Sequence, residues 1–229
     1  MASQTKYPST LASSATIHAD DLTPSIVKPW ITPSNAAVDD GTLTTATFIT
    51  EDDGFPNGQN YTHYLNATNF GFTIPDGARI DGVVVVYEMS KTTTLIGPYE
   101  NTARLIIGGA LKNTNKADAT TPGEWTGLKT YGSSTDTWGE SLTSAIVNAS
   151  DFGTGARAGQ ASLGANVIAS TASVDVISIT VYYTIIPPPI TISPFTDVSS
   201  TRGTGNAEIT STGGATPDKR GFVVGPLGS

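Results

Sequence analysis

Between Val176 and Thr184 the odd positions Ile177, Ile179, Val181 and Tyr183 are apolar, while Ser178, Thr180 and Thr184 stand between them. Side chains point to opposite faces at successive positions of a strand, so this run buries one face only when extended. Gly82–Ser90 repeats the pattern with Val83, Val85, Tyr87 and Met89. There Val84 and Val86 are apolar too, which predicts a strand covered on both faces. Leu43–Ile49, Ala103–Ile107 and Ser162–Ile168 read as further strands. Turn signals separate these runs: Asp40-Gly41, Pro56-Asn57-Gly58, Pro75-Asp76-Gly77, Gly108-Gly109, Pro122-Gly123 and Gly132-Ser133. No long segment has helical period. Ser141–Asn148 is expected to make one or two helical turns, with Leu142 and Ile146 on one side. The pattern predicts an all-β chain built on an antiparallel β-sandwich, jelly-roll or Ig-like.

The 229 residues hold one such domain with some left over. Residues 1–22 are polar and read as an extended N-terminal arm. Pro24 and Pro29 forbid a regular helix at the entry to the sandwich, which is expected over residues 23–186. Pro187–Pro189 reads as a stiff linker. Residues 190–229 read as a partial Ig-like β-domain of about three strands, too few to bury a core alone. Such a fragment is expected to be mobile, to rest on the main domain or to be completed by another chain. Gly225–Ser229 resembles a processing scar and is set aside.

An internal repeat runs through the sandwich. Leu65-Asn66-Ala67-Thr68-Asn69-Phe70-Gly71 matches Val147-Asn148-Ala149-Ser150-Asp151-Phe152-Gly153, and Ile80-Asp81 matches Val174-Asp175. Two copies are too few for a solenoid. They predict two similar halves of one sandwich, each with an Asn-anchored corner and an Asp-led strand. The Asn-Ala-Thr/Ser triplets and Asn60-Tyr61-Thr62 have the form of glycosylation sequons. With no signal peptide in "MASQTKYPST", those asparagines are instead expected to bond their own turns.

Composition narrows the chemistry. Charged residues make up 14% of the chain, against about 25% in a typical domain, so Thr, Ser, Asn and Gly must cover the surface. The net charge is −8 with no basic stripe, and nucleic acid is not an expected partner. No apolar run approaches the roughly 20 residues of a membrane span, so no membrane association is expected. There is no cysteine, which excludes disulfides and thiolate metal sites.

The two histidines are His18 and His63. A triad needs a histidine between a nucleophile and a carboxylate, and no Gly-x-Ser-x-Gly turn accompanies His63. Thr50–Asn60, with Glu51, Asp52 and Asp53, is the best calcium-loop candidate but lacks EF-hand spacing, and it reads as an acidic turn. Asp39-Asp40-Gly41 reads as a turn as well. Gly153–Gly159 (GTGARAG) fails the dinucleotide-loop spacing. No catalytic residue, metal or cofactor is expected. Trp125, Tyr131 and Trp138 share one Gly-rich region and are the place to look first for a ligand or partner face. The reading the residues favour is that they are loop anchors packed on the sandwich.

"WITPSNAAVDDGTLTTATF", "NYTHYLNATNFGFTIPDGARIDGVVVVYE", "TYGSSTDTWGESLT" and "ASVDVISITVYYT" occur in this order. Together they resemble a β-sandwich module found in structural proteins of tailed bacteriophages and prophages and in some bacterial surface proteins, over roughly residues 28–184. The C-terminal fragment resembles the opening strands of an Ig-like domain found in similar proteins. The resemblance implies a non-enzymatic virion protein made in the host cytoplasm. It would be a capsid decoration or head-fibre protein, or next a tail or fibre adaptor. Implied partners are phage capsid or tail proteins and further copies of the chain, with a trimer the first expectation. The alternative is a carbohydrate-binding or adhesive module that engages host-surface glycans.

Overall fold

The computed structural model describes residues 1–16, 18–19, 26–49, 60–92, 97–117, 124–160, 169–186, 190–196 and 204–209. In chain order the first strands are β1 (Ala2–Lys6), β2 (Thr10–Ser14), β3 (Ile26–Lys28), β4 (Thr44–Phe48), β5 (Asn60–Thr62) and β6 (Tyr64–Thr68). They are followed by β7 (Arg79–Lys91), β8 (Tyr99–Ile107), β9 (Ala110–Leu111) and β10 (Gly127–Gly132). A short helix α1 (Ser144–Asn148) precedes β11 (Gly153–Gln160), β12 (Ser170–Thr184), β13 (Ile190–Thr196) and β14 (Thr204–Ile209). A 3-10 turn covers Pro33–Ala36. The expected strand Ser162–Ile168, the linker Pro187–Pro189, the loop at 50–59 and the scar at 225–229 lie outside the described residues.

The two alternating runs are the longest strands, β7 and β12, and they pair antiparallel along nearly their whole length. Around them forms a five-stranded sheet in the order β1-β12-β7-β10, with β4 also on β12. A seven-stranded sheet, β2-β6-β11-β5-β3 with β8 on β11 and β9 on β8, packs against it and curls into a half-barrel. The fold is thus the expected antiparallel sandwich; β3 and β5 form a parallel pair within it. Val83, Val85, Tyr87, Ile177, Ile179 and Val181 are fully buried between the sheets, opposite Leu65, Ala67, Leu105 and Ala156. Each large aliphatic side chain removed from water contributes about 1.5–3 kcal/mol. Val84 and Val86 are only half-buried on the outer face, beside Thr180 and Ser178 of β12. The expectation of cover on both faces holds for one face of β7.

Three features differ from the sequence reading. Residues 1–14 of the expected extended arm are paired within the sandwich. β1 pairs with β12 from Ala2↔Tyr183 to Lys6↔Ile179, and β2 pairs with β6, so the first 14 residues close an edge of each sheet. These short edge strands are joined by backbone hydrogen bonds and by polar contacts. Gln4 exchanges two 3.1 Å bonds with the Thr73 backbone, and Thr5 Oγ1 lies 2.8 Å from Thr180 Oγ1. Side-chain composition hides that kind of pairing.

The second concerns GTGARAG, which fails as a dinucleotide loop and which no strand pattern marks in the sequence. It is β11, buried throughout, in the middle of the second sheet. Glycine is required there by close approach: a Cβ on Gly153 would stand 1.9 Å from the Ala67 carbonyl oxygen.

Third, the two copies of the repeat are neighbours rather than equivalent halves. Leu65–Thr68 lies in β6, whereas Val147 and Asn148 end α1. The copies meet where Thr68 pairs with Gly153. Asn148 bonds the Ile74 backbone in both directions at 2.8 Å, not its own turn. Phe72 contacts both Phe70 and Phe152, which seals this corner.

Candidate functional site

The aromatic region is built by β10 and the loops on either side of it. Trp125 is fully buried, its ring 5.8 Å from that of Trp30, and its indole N–H donates to the Ser173 carbonyl at 2.9 Å. Trp138 is also buried; its N–H donates to the Val83 carbonyl at 2.9 Å. Its backbone has a φ of 61°, a left-handed conformation that a bulky residue adopts only when held. The Asp136 carboxylate holds it, accepting from the Trp138 backbone N–H at 2.8 Å and from Lys116 Nζ at 2.7 Å. Burial works against the ionised Asp136, but these donors outweigh it and keep the carboxyl below its ordinary value. Tyr131 is buried and donates its hydroxyl to Glu100 Oε2 at 2.7 Å; Lys129 Nζ lies 2.5 Å from Glu100 Oε1. Burial, together with the Glu100 charge, pushes the Tyr131 phenol far above its usual range.

The three residues therefore share a region but are buried, which fits loop anchors rather than a ligand face. A large aromatic body is worth most in the core provided its single polar hydrogen finds an acceptor, and each of these does. They are the anchors of the 124–140 segment.

His63 is half-buried, with Nδ1 3.1 Å from Ser13 Oγ. The same Ser13 oxygen accepts the Trp30 backbone N–H at 2.8 Å, and the His63 carbonyl accepts the Trp30 indole N–H at 2.8 Å. Among the described residues no carboxylate bonds His63, and this Ser-His contact ties β2 to the junction of β5 and β6. His18 Nε2 lies 3.2 Å from Asn113 Oδ1.

Two features escape a linear reading. A groove of about 420 Å³ runs over β2 and β6, lined by Thr10, Asn66, Thr68, Ser150 and Asp151 among others. Its short hydroxyl and amide groups suit hydrogen bonding to a polar surface. The second feature is a set of three carboxylates. One oxygen each from Asp39, Glu88 and Asp175 lies within 4.8 Å of the other two. Asp175 stands at a β-bulge: Val174 faces Met89 and Ile177 faces Tyr87, so two residues of β12 oppose Glu88 alone. The segment after the 3-10 turn crosses this bulge, with Ala37 bridged to Val176. Gly41, at a φ of 77°, donates its N–H to Asp175 Oδ2 at 3.1 Å. Residues 39, 88 and 175 have no spacing that sequence could flag; long-range pairing brings them together.

No family model, curated protein or solved structure matches this chain.

Proposed function

We propose that the chain is a non-enzymatic structural protein of a tailed-phage virion that attaches to the particle and coats or extends it. A capsid decoration or head-fibre protein is the first assignment and a tail or fibre adaptor the next. The phage assignment is supported by the resemblance of residues 28–184.

The assembly role is supported by one observation. β13 and β14 form a two-stranded antiparallel sheet, and among the described residues each pairs only with the other. Two strands in water are marginal without a further strand or a packing surface. Their outer edges carry backbone N–H and C=O groups that add readily to a strand of a neighbouring chain. The N-terminal strands are paired within the sandwich on one side, β1 with β12 and β2 with β6. Burial of Trp125 and Trp138 removes the stacking rings on which the carbohydrate-binding alternative was built.

Light scattering on the full chain and on a version ending at Ile186 tests the reading. The expected result is a defined oligomer, a trimer first, that becomes monomeric on truncation. A full chain that is monomeric at all concentrations, and that fails to co-sediment with phage particles, overturns it.

A further inference from the structure

The geometry points to a divalent-cation site formed by Asp39, Glu88 and Asp175 at the β12 bulge, with Ca²⁺ as the ion that fits. Three observations carry this beyond a mere acidic cluster.

The first is an orphaned atom. Asp175 is only 8% exposed, and its Oδ1 is buried with no hydrogen-bond partner. A buried carboxylate oxygen can only accept, so it needs a donor or a cation. Oδ2 takes the Gly41 N–H, which fixes the carboxylate and leaves Oδ1 without a donor, on a carboxylate that lies within reach of the other two acids.

The second is uncompensated charge. Among the described residues, no Lys, Arg or His pairs with Asp39, Glu88 or Asp175, although the neighbouring Lys91 and Lys129 are paired with Glu124 and Glu100. Three carboxylates this close repel one another unless a cation lies among them.

The third is the donor set. Oxygens within 4.8 Å of one another can share one ion. Ca²⁺ takes several protein carboxylates, whereas Mg²⁺ is usually held by one or two. All three donors are hard carboxylate oxygens, the set that suits calcium rather than zinc or copper. Asp39 is exposed, which leaves room for water to complete the coordination shell.

A bound ion here fastens residues 37–41 to the central β7–β12 pair. The test is the thermal midpoint of the chelator-stripped full chain, with and without millimolar CaCl₂, beside titration calorimetry with CaCl₂ and with MgCl₂. The expected result is a rise of about 5–10 °C at a hundredfold excess of Ca²⁺ over Kd, with a smaller response to Mg²⁺. Asp175→Asn keeps an acceptor for Gly41 and is expected to abolish the rise. Glu88→Gln, on the half-exposed face, does the same and serves if the first variant folds poorly. Asp81→Asn keeps the rise. No calcium heat and no midpoint change in the parent chain overturns the proposal. So does a rise that survives both Asp175→Asn and Glu88→Gln, since the ion then binds elsewhere, as at Glu51–Asp53.

Discussion

Asp81 and Asp175 occupy the same place in the two copies of the internal repeat, and their surroundings differ sharply. Both stand at β-bulges of the central strand pair, Asp81 on β7 and Asp175 on β12, and the second bulge undoes the register shift of the first. Both are well buried: the Asp81 side chain is 7% exposed and Asp175 as a whole 8%. Burial therefore does not explain the difference. Asp81 accepts the Thr184 hydroxyl at 2.6 Å and Arg79 Nε at 2.8 Å, so both its oxygens are used. Asp175 has the Gly41 N–H on one oxygen, no hydrogen-bond partner on the other, and two more carboxylates close by. A bulge turns a side chain out of the regular alternation, and the neighbours it meets then decide whether the acid is structural or free to bind. Arg79 and Thr184 serve the first; a loop bearing another aspartate meets the second.

Replacing each acid in chelator, and measuring stability by urea denaturation, tests this contrast. Asp81→Ala is expected to cost about 2 kcal/mol, because it removes charge-assisted bonds and strands the Thr184 hydroxyl. Asp175→Ala is expected to cost less than half of that; equal losses would break the comparison. The Thr184 hydroxyl, and after it Arg79, holds the Asp81 carboxyl below the ordinary value of 3.8. Its stabilisation is thus fully present above that value and lost as pH falls through the lowered folded value. The gap between the parent chain and Asp81→Asn should accordingly narrow between about pH 5 and about pH 2. A gap independent of pH would show that the ionised form is not favoured.

Thr184→Val is next, with a loss of about 1 kcal/mol, since Arg79 still pairs with the acid. Glu88→Gln should stabilise the calcium-free chain by about 0.5 kcal/mol by relieving repulsion; a loss of that size would mean that the cluster is already compensated. Arg79→Ala is smallest, within about 0.5 kcal/mol, because the arginine side chain is 66% exposed and its ion pair is screened by water.

The sandwich was legible where side chains carry the information. Ile177, Ile179 and Val181 declare a buried face by their spacing, and the structure buries all three. Ser141–Asn148 was legible as a helical turn, and Leu142 and Ile146 do pack on the core from α1 and its entry. Thr143 caps that helix, accepting the Ile146 N–H at 3.2 Å. Sequence reasoning failed where the backbone carries the information. β11 is mostly glycine and alanine, so its central place shows in no periodic pattern; it exists because Tyr99, Asn66 and the β6 backbone need its missing side chains. β1 and β2 looked like an arm because edge pairing asks little of side chains. The sequence favours core anchors over a binding loop for Trp125 and Trp138, and the carbonyls that receive their indole hydrogens are what show it. The acidic site needed three distant segments to meet, with the β12 bulge to aim one of them.

The pairing of β1 has a mechanical consequence. Ala2 lies beside Tyr183 at one tip of the β1–β12 pair, and the five residues of β1 run inward from there to Lys6 beside Ile179. The entrance of β1 and the exit of β12 thus lie side by side. Tension between residues 2 and 184 acts across the strands, along the inter-strand bonds, and parts them one after another. Loaded through these two points, the module behaves as a zipper with a weak first tooth. β1 peels away at low force, while the two-sheet core carries none of the load, and the strand can re-zip when the tension drops.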